Sequence, residues 1–158
     1  MAAVSKAFIS NKIQQERKNL MAMTKVFERL YLGSADDADH LAVTNPGITG
    51  VVNVSTEPNQ QKREGIKYVH FPLDESEWIL PRRFERIITA ISTLVRGGTV
   101  LIHCGAGVSR SPVVVALYMN EVGYKNFDDA LSELRSLRSV VAPSKLVIER
   151  AKSYLEGI

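Results

Sequence analysis

The sequence has few or none of the features that mark several classes of protein. Cys104 is its only cysteine, so no disulfide can form within the chain. No apolar run approaches the roughly 20 residues that a membrane-spanning helix needs. We also find no signal peptide, no repeat and no basic patch interleaved with aromatic residues. These absences argue against a secreted, disulfide-stapled domain, a membrane protein and a nucleic-acid-binding protein. We expect a cytoplasmic protein, with the nucleus as a further location and the mitochondrion as a less favoured one.

What is present suits one globular domain. The chain has 158 residues, 45% of them hydrophobic, which is enough to bury a core without disulfides. A net charge of +3 makes the protein mildly basic, which suits anionic ligands without identifying one. Its three histidines, His40, His70 and His103, are scattered and lack the spacing of metal ligands. We therefore expect neither a metal nor another cofactor.

The first 24 residues differ from the rest in composition. Within residues 1–25 there are five basic residues and one acid, and Ile9, Ile13 and Leu20 recur at helical spacing. We predict an amphipathic helical extension over residues 1–24 that packs on a globular domain over residues 25–158. A mitochondrial presequence and a helix that binds a partner are the alternatives.

Beyond the extension, apolar segments with strand and helix patterns alternate. Four segments are predicted to be strands: residues 25–34, 48–55, 66–72 and 99–103. Predicted helices are a short one capped by Ser34, one from Pro81 to the Gly97–Gly98 pair, a wholly apolar one over 111–123, one marked by Phe127 to Leu137, and one opened by Pro143. This order predicts an α/β domain with a central, mainly parallel sheet of about four to five strands flanked by helices.

The only cysteine opens a loop between a strand and a helix, in the stretch HCGAGVSRS at residues 103–111. In α/β domains, ligands bind where strands end, and unpaired N–H groups at a helix N-terminus attract anions. Small residues after Cys104 let the backbone approach a tetrahedral anion, and Arg110 can bind two of its oxygens. The same positive field stabilises a thiolate, so Cys104 is a candidate nucleophile for attack on phosphorus. The expected anion-binding residues are Gly105, Ala106, Gly107, Val108, Ser109 and Arg110.

HCGAGVSRS resembles the His-Cys-x5-Arg-Ser/Thr signature of the cysteine-based protein tyrosine phosphatases. The chain is similar, more narrowly, to the small atypical dual-specificity phosphatases. Four further stretches are similar to segments of that family: RLYLGSADDA, VVNVS, HFPLDES and VVVALYM. The resemblance covers residues 25–156 and therefore implies that residues 25–158 form a dual-specificity phosphatase catalytic domain.

The resemblance implies a role for each residue of the signature. Cys104 attacks the phosphate and forms a phosphocysteine, while Arg110 binds two phosphate oxygens. In the family, the hydroxyl at the position of Ser111 helps the thiolate to leave, although a serine before Pro112 is also a good helix cap. His103 holds the loop and helps to keep the thiol ionised.

The leaving group needs a proton, and the family places its general acid in the loop that begins HFPLDES. Asp74 is the preferred candidate, on counting back from Phe84 at the start of the next helix. Counting forward from Pro72 favours Glu75 instead, and this alternative stays open.

The expected activity is hydrolysis of phosphotyrosine and of phosphoserine or phosphothreonine in proteins. Residues 105–109 contain no lysine, whereas superfamily members that act on phosphoinositides or inositol pyrophosphates tend to carry lysines there. This favours a phosphoprotein substrate. The alternatives are a phosphoprotein-binding module of low turnover and a phosphatase for RNA 5′ ends, glucan or lipid.

Overall fold

The computed structural model describes residues 6–7, 22–41 and 47–157, and these form an α/β fold, as the sequence predicts. The strands are β1 (Thr24–Phe27), β2 (Leu30–Gly33), β3 (Ile48–Asn53), β4 (Lys67–His70) and β5 (Thr99–His103). The helices are α1 (Ala35–Asp39), α2 (Pro81–Gly97), α3 (Arg110–Glu121), α4 (Phe127–Leu137) and α5 (Lys145–Glu156). The predicted helical extension over residues 1–24 lies mostly outside the described residues and stays a prediction.

The strands form one sheet in the order β1–β2–β5–β3–β4. Only β1 pairs antiparallel to its neighbour; β2, β5, β3 and β4 run parallel to one another. The unbroken apolar runs of β3 and β5 are typical of strands that are buried on both faces, and both strands lie inside the sheet. The prediction of a mainly parallel sheet with covered faces is therefore confirmed.

The prediction of one strand over residues 25–34 is wrong, because the chain reverses in the middle of that segment. β1 and β2 form a hairpin whose turn is Glu28 and Arg29. Arg29 adopts a φ of 59°, in the left-handed region that residues other than glycine rarely occupy. No glycine, proline or asparagine marks this turn, so the sequence pattern gave no sign of it.

The two faces of the sheet support cores of unequal size. Along β5 the side chains alternate, so Val100 and Ile102 face the large core beneath α2 and α3. Leu101 points the other way and packs with Ala38 and Leu41 in a small cluster beside α1. Of the helices named above, α2, α3, α4 and α5 thus cover one face of the sheet.

The helices begin and end largely where the sequence predicts. Pro81 begins α2, Gly98 follows its last residue, and Ser34 caps α1 by accepting a hydrogen bond from Asp37 N. Pro143 does not open the last helix. The Ser144 hydroxyl accepts a hydrogen bond from the N–H of Val147 and so caps α5, which starts at Lys145. In the described part of the chain, no helix combines the length and apolar character needed to cross a membrane.

The parallel pairing brings three strand ends together at one edge of the sheet. His103, the last residue of β5, pairs with Gly33 at the end of β2 and with Asn53 at the end of β3. The segments that follow these strands therefore meet at this edge. Cys104 comes directly after His103, in the middle of the row.

Candidate active site

The residues that the sequence singled out converge on a cavity at this edge. We call residues 104–110 the cysteine loop and residues 73–80, which follow β4, the acidic loop. The cavity has a volume of about 400 Å³, and both loops contribute to its wall. Its lining comprises Thr56, Asp74, Glu75, Ser76, Cys104, Ala106, Val108, Ser109 and Arg110.

The carbonyl groups of the cysteine loop are turned away from the cavity. Among the loop carbonyls that accept hydrogen bonds from outside the loop, Gly105 O accepts from Ala35 N at 2.8 Å, Gly107 O from Arg138 Nε at 3.2 Å, and Val108 O from Ala142 N at 2.9 Å. In a trans peptide the N–H points opposite to the C=O. The N–H groups of these three peptides therefore point inward, as a cradle for an anion requires.

Gly107 is the glycine that this loop conformation requires. Its φ is +70°, and a Cβ built on it would lie 2.5 Å from the carbonyl oxygen of Gly33. No side chain fits there without moving the backbone of β2. A Cβ on Gly105, by contrast, would meet only a guanidinium nitrogen of Arg110, at 3.6 Å.

Cys104 is buried, with its sulfur 3.2 Å from the Ser111 hydroxyl oxygen. Burial by itself raises the pKa of a thiol. Hydrogen bonds from the hydroxyl and N–H of Ser111 and from the N–H of Gly107, together with the charge of Arg110, outweigh burial and hold the pKa of Cys104 below its ordinary value. The thiolate is therefore more populated at neutral pH than in an unperturbed cysteine.

His103 is fully enclosed beneath the loop and is held at both ring nitrogens. Nδ1 donates to the carbonyl of Cys104 at 2.9 Å, and Nε2 accepts from the side-chain amide of Asn59 at 2.8 Å. Burial lowers the pKa of His103 despite the bond to Cys104 O, so the ring is neutral at neutral pH. The imidazole thus fixes the backbone of Cys104 through hydrogen bonds.

Arg110 links the cysteine loop to the acidic loop. One of its terminal nitrogens donates to the carbonyl of Leu73 at 3.0 Å, and its Nε lies 3.9 Å from a carboxylate oxygen of Glu75. The guanidinium is therefore held at the wall of the cavity, where it reaches an anion bound above Cys104.

Asp74 is exposed and contributes to the wall of the cavity. Its Oδ1 accepts hydrogen bonds from the hydroxyl of Ser76 at 2.6 Å and from the N–H of Ser76 at 2.9 Å. These two bonds, the hydroxyl first, hold the pKa of Asp74 below its ordinary value. In this conformation the carboxyl group is ionised at neutral pH.

Sequence reasoning missed four residues of this site: Thr56, Asn59, Ser76 and Arg138. Arg138 is the most consequential, because its guanidinium is buried next to the cysteine loop. Besides Gly107 O, it donates to Ala22 O at 2.6 Å and to Thr24 Oγ1 at 3.1 Å. It thereby ties the loop to the start of β1. A basic residue at the end of a helix usually indicates a solvated cap, so the sequence offered no signal for this role.

Replacing Arg138 by methionine is expected to weaken the fold and the loop together. Methionine keeps an apolar stem but leaves the buried carbonyl of Gly107 without this donor, at a cost of about 1–3 kcal/mol. Chemical denaturation of Arg138→Met beside Arg135→Met, a change to an exposed arginine on α4, which ends just before Arg138, measures the effect. Equal stabilities of the two variants would contradict the role of Arg138.

The sequence of this chain is similar to those of known proteins. Residues 30–151 match the family described as dual specificity phosphatase, catalytic domain. Human dual specificity protein phosphatase 22 is 34% identical over 125 residues, which are 77% of this chain and 67% of that protein. Human dual specificity protein phosphatase 21 is 29% identical over 157 residues, which are 98% of this chain and 82% of that protein.

Some relatives are much longer than this chain, which covers 31% of human dual specificity protein phosphatase 5. Among solved structures, a variant of human DUSP28 superposes with a TM-score of 0.78 at 28% identity, covering 86% of this chain and 95% of that one. The fold, the family match over both loops and the cysteine-centred cavity agree. The chain belongs to the dual specificity phosphatases, within the cysteine-based protein tyrosine phosphatase superfamily.

Proposed function

We propose that the chain hydrolyses phosphotyrosine, and also phosphoserine and phosphothreonine, in protein substrates by way of a phosphocysteine on Cys104. One observation carries this proposal: a thiol of lowered pKa lies at the base of a loop whose amides point inward, beside an arginine. A mouse dual specificity phosphatase, 28% identical, has been solved complexed with zinc tungstate. Tungstate is a tetrahedral oxyanion like phosphate, and the inward amides of this loop suit the same shape.

In the first step, the thiolate of Cys104 forms a bond to phosphorus while the bond to the ester oxygen breaks. Arg110 and the loop amides hold the non-bridging oxygens, whose charge shifts as the transition state forms. Asp74 gives its proton to the leaving oxygen, so that neither an alkoxide nor a phenoxide has to depart.

In the second step, water forms a bond to phosphorus and the phosphorus–sulfur bond breaks. The Asp74 carboxylate takes a proton from that water, and inorganic phosphate leaves. Ser111 donates a hydrogen bond to the departing thiolate, which its separation of 3.2 Å from the sulfur allows. His103 takes no part in proton transfer, because its ring is buried and both of its nitrogens are hydrogen-bonded to other protein groups.

Asp74 is preferred over Glu75 as the acid because a carboxylate oxygen of Glu75 lies 3.9 Å from Nε of Arg110. The Glu75 carboxylate is therefore paired with the guanidinium that binds phosphate. The free carboxylate of Asp74 is too acidic for its task at neutral pH, but a bound phosphate dianion disfavours a second negative charge nearby and raises its pKa.

The leaving-group dependence distinguishes the two carboxylates. Asp74→Asn is expected to slow aryl phosphates of high leaving-group pKa far more than those of low pKa, since only the former need the proton. Glu75→Gln is the matched control and should slow both classes alike. The reverse pattern would make Glu75 the acid.

The pH profile tests the same assignment through Ser76. The hydroxyl of Ser76 stabilises the ionised form of Asp74, so Ser76→Ala is expected to raise the pKa of Asp74. A general acid works while protonated, and the basic limb of the kcat/KM profile should therefore move to higher pH. An unmoved basic limb in Ser76→Ala would argue against Asp74.

A protein substrate is supported by the cysteine loop, which carries no lysine between Cys104 and Arg110. A reducing compartment such as the cytoplasm suits this chemistry, because oxidation of the thiolate would stop it. The competing function is a phosphoprotein-binding module. Hydrolysis of p-nitrophenyl phosphate at an ordinary enzymatic rate supports the phosphatase, and phosphopeptide binding without hydrolysis supports the module.

A further inference from the structure

A second cavity adjoins the one above Cys104. It has a volume of about 380 Å³ and shares Thr56 and Asp74 with the first cavity as parts of its wall. Because the two cavities have these residues in common, a chain whose phosphorylated residue lies over Cys104 can reach the second cavity within a few residues. The second cavity is therefore placed to contact the residues that flank the phosphorylated one.

The walls of this cavity combine apolar and polar side chains. Leu73 and Ile79 are buried there, with 1% and 4% of their surfaces exposed, and Pro72 and Trp78 complete the apolar part. The polar part consists of Thr56, Asp74, Glu77 and Arg83. A site of this kind can take an apolar side chain on one part of its wall while polar groups fix the orientation of the ligand.

Trp78, the only tryptophan, is 57% exposed, and Leu80 two residues on is 61% exposed. Single exposed apolar residues are ordinary. Trp78, however, also lines the cavity beside the active site, and tryptophan is enriched among the residues that dominate binding energy.

The indole is held in place rather than left free. The guanidinium of Arg150 lies 5.8 Å from the centre of the Trp78 ring, within the range of a cation–π contact. The same arginine donates to the carbonyl of Glu77, the residue before the tryptophan. A side chain positioned in this way loses little conformational entropy when a ligand packs on it.

The charges around this patch favour a peptide over a lipid surface. Two acids of the cavity wall, Asp74 and Glu77, lie beside two arginines, Arg83 and Arg150. Recognition of anionic lipids by a protein surface typically relies on clusters of several lysine and arginine residues. The mixed surface here suits a polypeptide with both polar and apolar side chains.

We propose that the second cavity binds an apolar side chain of the substrate polypeptide, within about three residues of the phosphorylated one, and that Trp78 is its principal contact. This deepens the proposed function and rests on it: the substrate class is a phosphoprotein whose phosphorylated residue is flanked by a leucine-like or aromatic side chain. Burying such a side chain is expected to raise kcat/KM about tenfold, which corresponds to about 1.4 kcal/mol.

The test uses a set of phosphotyrosine peptides in a serine-rich background, with one leucine moved through the three positions on each side of the phosphotyrosine. In the wild type, kcat/KM for the best leucine peptide should exceed that for the all-serine peptide by about tenfold. Trp78→Ala should bring this ratio close to one. Leu137→Ala, which alters an exposed leucine on α4, should keep the ratio.

Each other outcome overturns the proposal. A wild-type ratio near one at every position, or a ratio that Trp78→Ala leaves unchanged, removes the second cavity from substrate recognition while the phosphatase activity stands. Faster hydrolysis of phosphatidylinositol phosphate in vesicles than of any peptide, lowered by Trp78→Ala, would make a lipid surface the occupant. If p-nitrophenyl phosphate and all peptides resist hydrolysis, the proposed function fails as well.

Discussion

Cys104→Ser is expected to lower the turnover of p-nitrophenyl phosphate by several orders of magnitude while leaving the binding of oxyanions nearly unchanged. Serine fits the place of cysteine, but its hydroxyl does not ionise near neutral pH and therefore provides no thiolate. The inward amides and Arg110 remain, so tungstate should still bind with an affinity within a few-fold of the wild type. Steady-state kinetics and calorimetric titration with tungstate measure the two quantities on the same preparation.

The matched control for this variant is Ser136→Ala, a change of similar size at an exposed position on α4. It should leave both turnover and tungstate binding unaltered. Turnover by Cys104→Ser close to that of the wild type would remove Cys104 from the chemistry. Loss of tungstate binding together with turnover would mean instead that the substitution disturbs the loop.

Arg110→Lys is expected to lower kcat/KM by a factor on the order of 10² or more, the size of effect seen when one donor to a transition-state oxyanion is removed. Lysine keeps the positive charge but loses the planar fork that binds two oxygens at once. It also loses the geometry that lets Arg110 donate to Leu73 O on the acidic loop while its Nε lies near Glu75.

Arg96→Lys, at an exposed position near the end of α2, provides the control for a conservative arginine change. It should behave as the wild type. If Arg110→Lys retains most of the wild-type kcat/KM, then charge alone suffices at this position and the two-oxygen contact is not what Arg110 contributes.

The parts of the site that could be predicted from the sequence are those set by short-range pattern. An apolar strand, a cysteine, two glycines and an arginine before a helix contain the information for an anion-binding turn, because the turn is built from consecutive residues. The structure places these residues at the edge of the sheet where the parallel strands end, as expected. The hairpin at Arg29 could not be predicted from the sequence. The unusual dihedral angle of Arg29 is imposed by the pairing of β1 with β2, and no typical turn residue marks it.

The long-range support of the site could not be predicted in the same way. Arg138 is 31 residues from Gly107 and 116 from Ala22 in sequence, and only the folded chain brings the three together. The hydrogen bond between Asn59 and His103 spans 44 residues for the same reason. The second cavity also depends on tertiary structure. In the sequence, nothing distinguishes Trp78 from the other residues of a polar loop.

The central claim is that a covalent bond forms between Cys104 and phosphorus, and the direct test is to trap that intermediate. Ser111→Ala should slow its hydrolysis, because the departing thiolate loses the hydroxyl that lies 3.2 Å from the sulfur. Rapid acid quenching of this variant during turnover of p-nitrophenyl phosphate, followed by mass spectrometry of its peptides, should reveal one added phosphoryl group on Cys104. The Ser111→Ala variant should also release a burst of nitrophenol equal in concentration to the enzyme. A phosphoryl group on another residue, or steady turnover with neither burst nor adduct, would contradict the account.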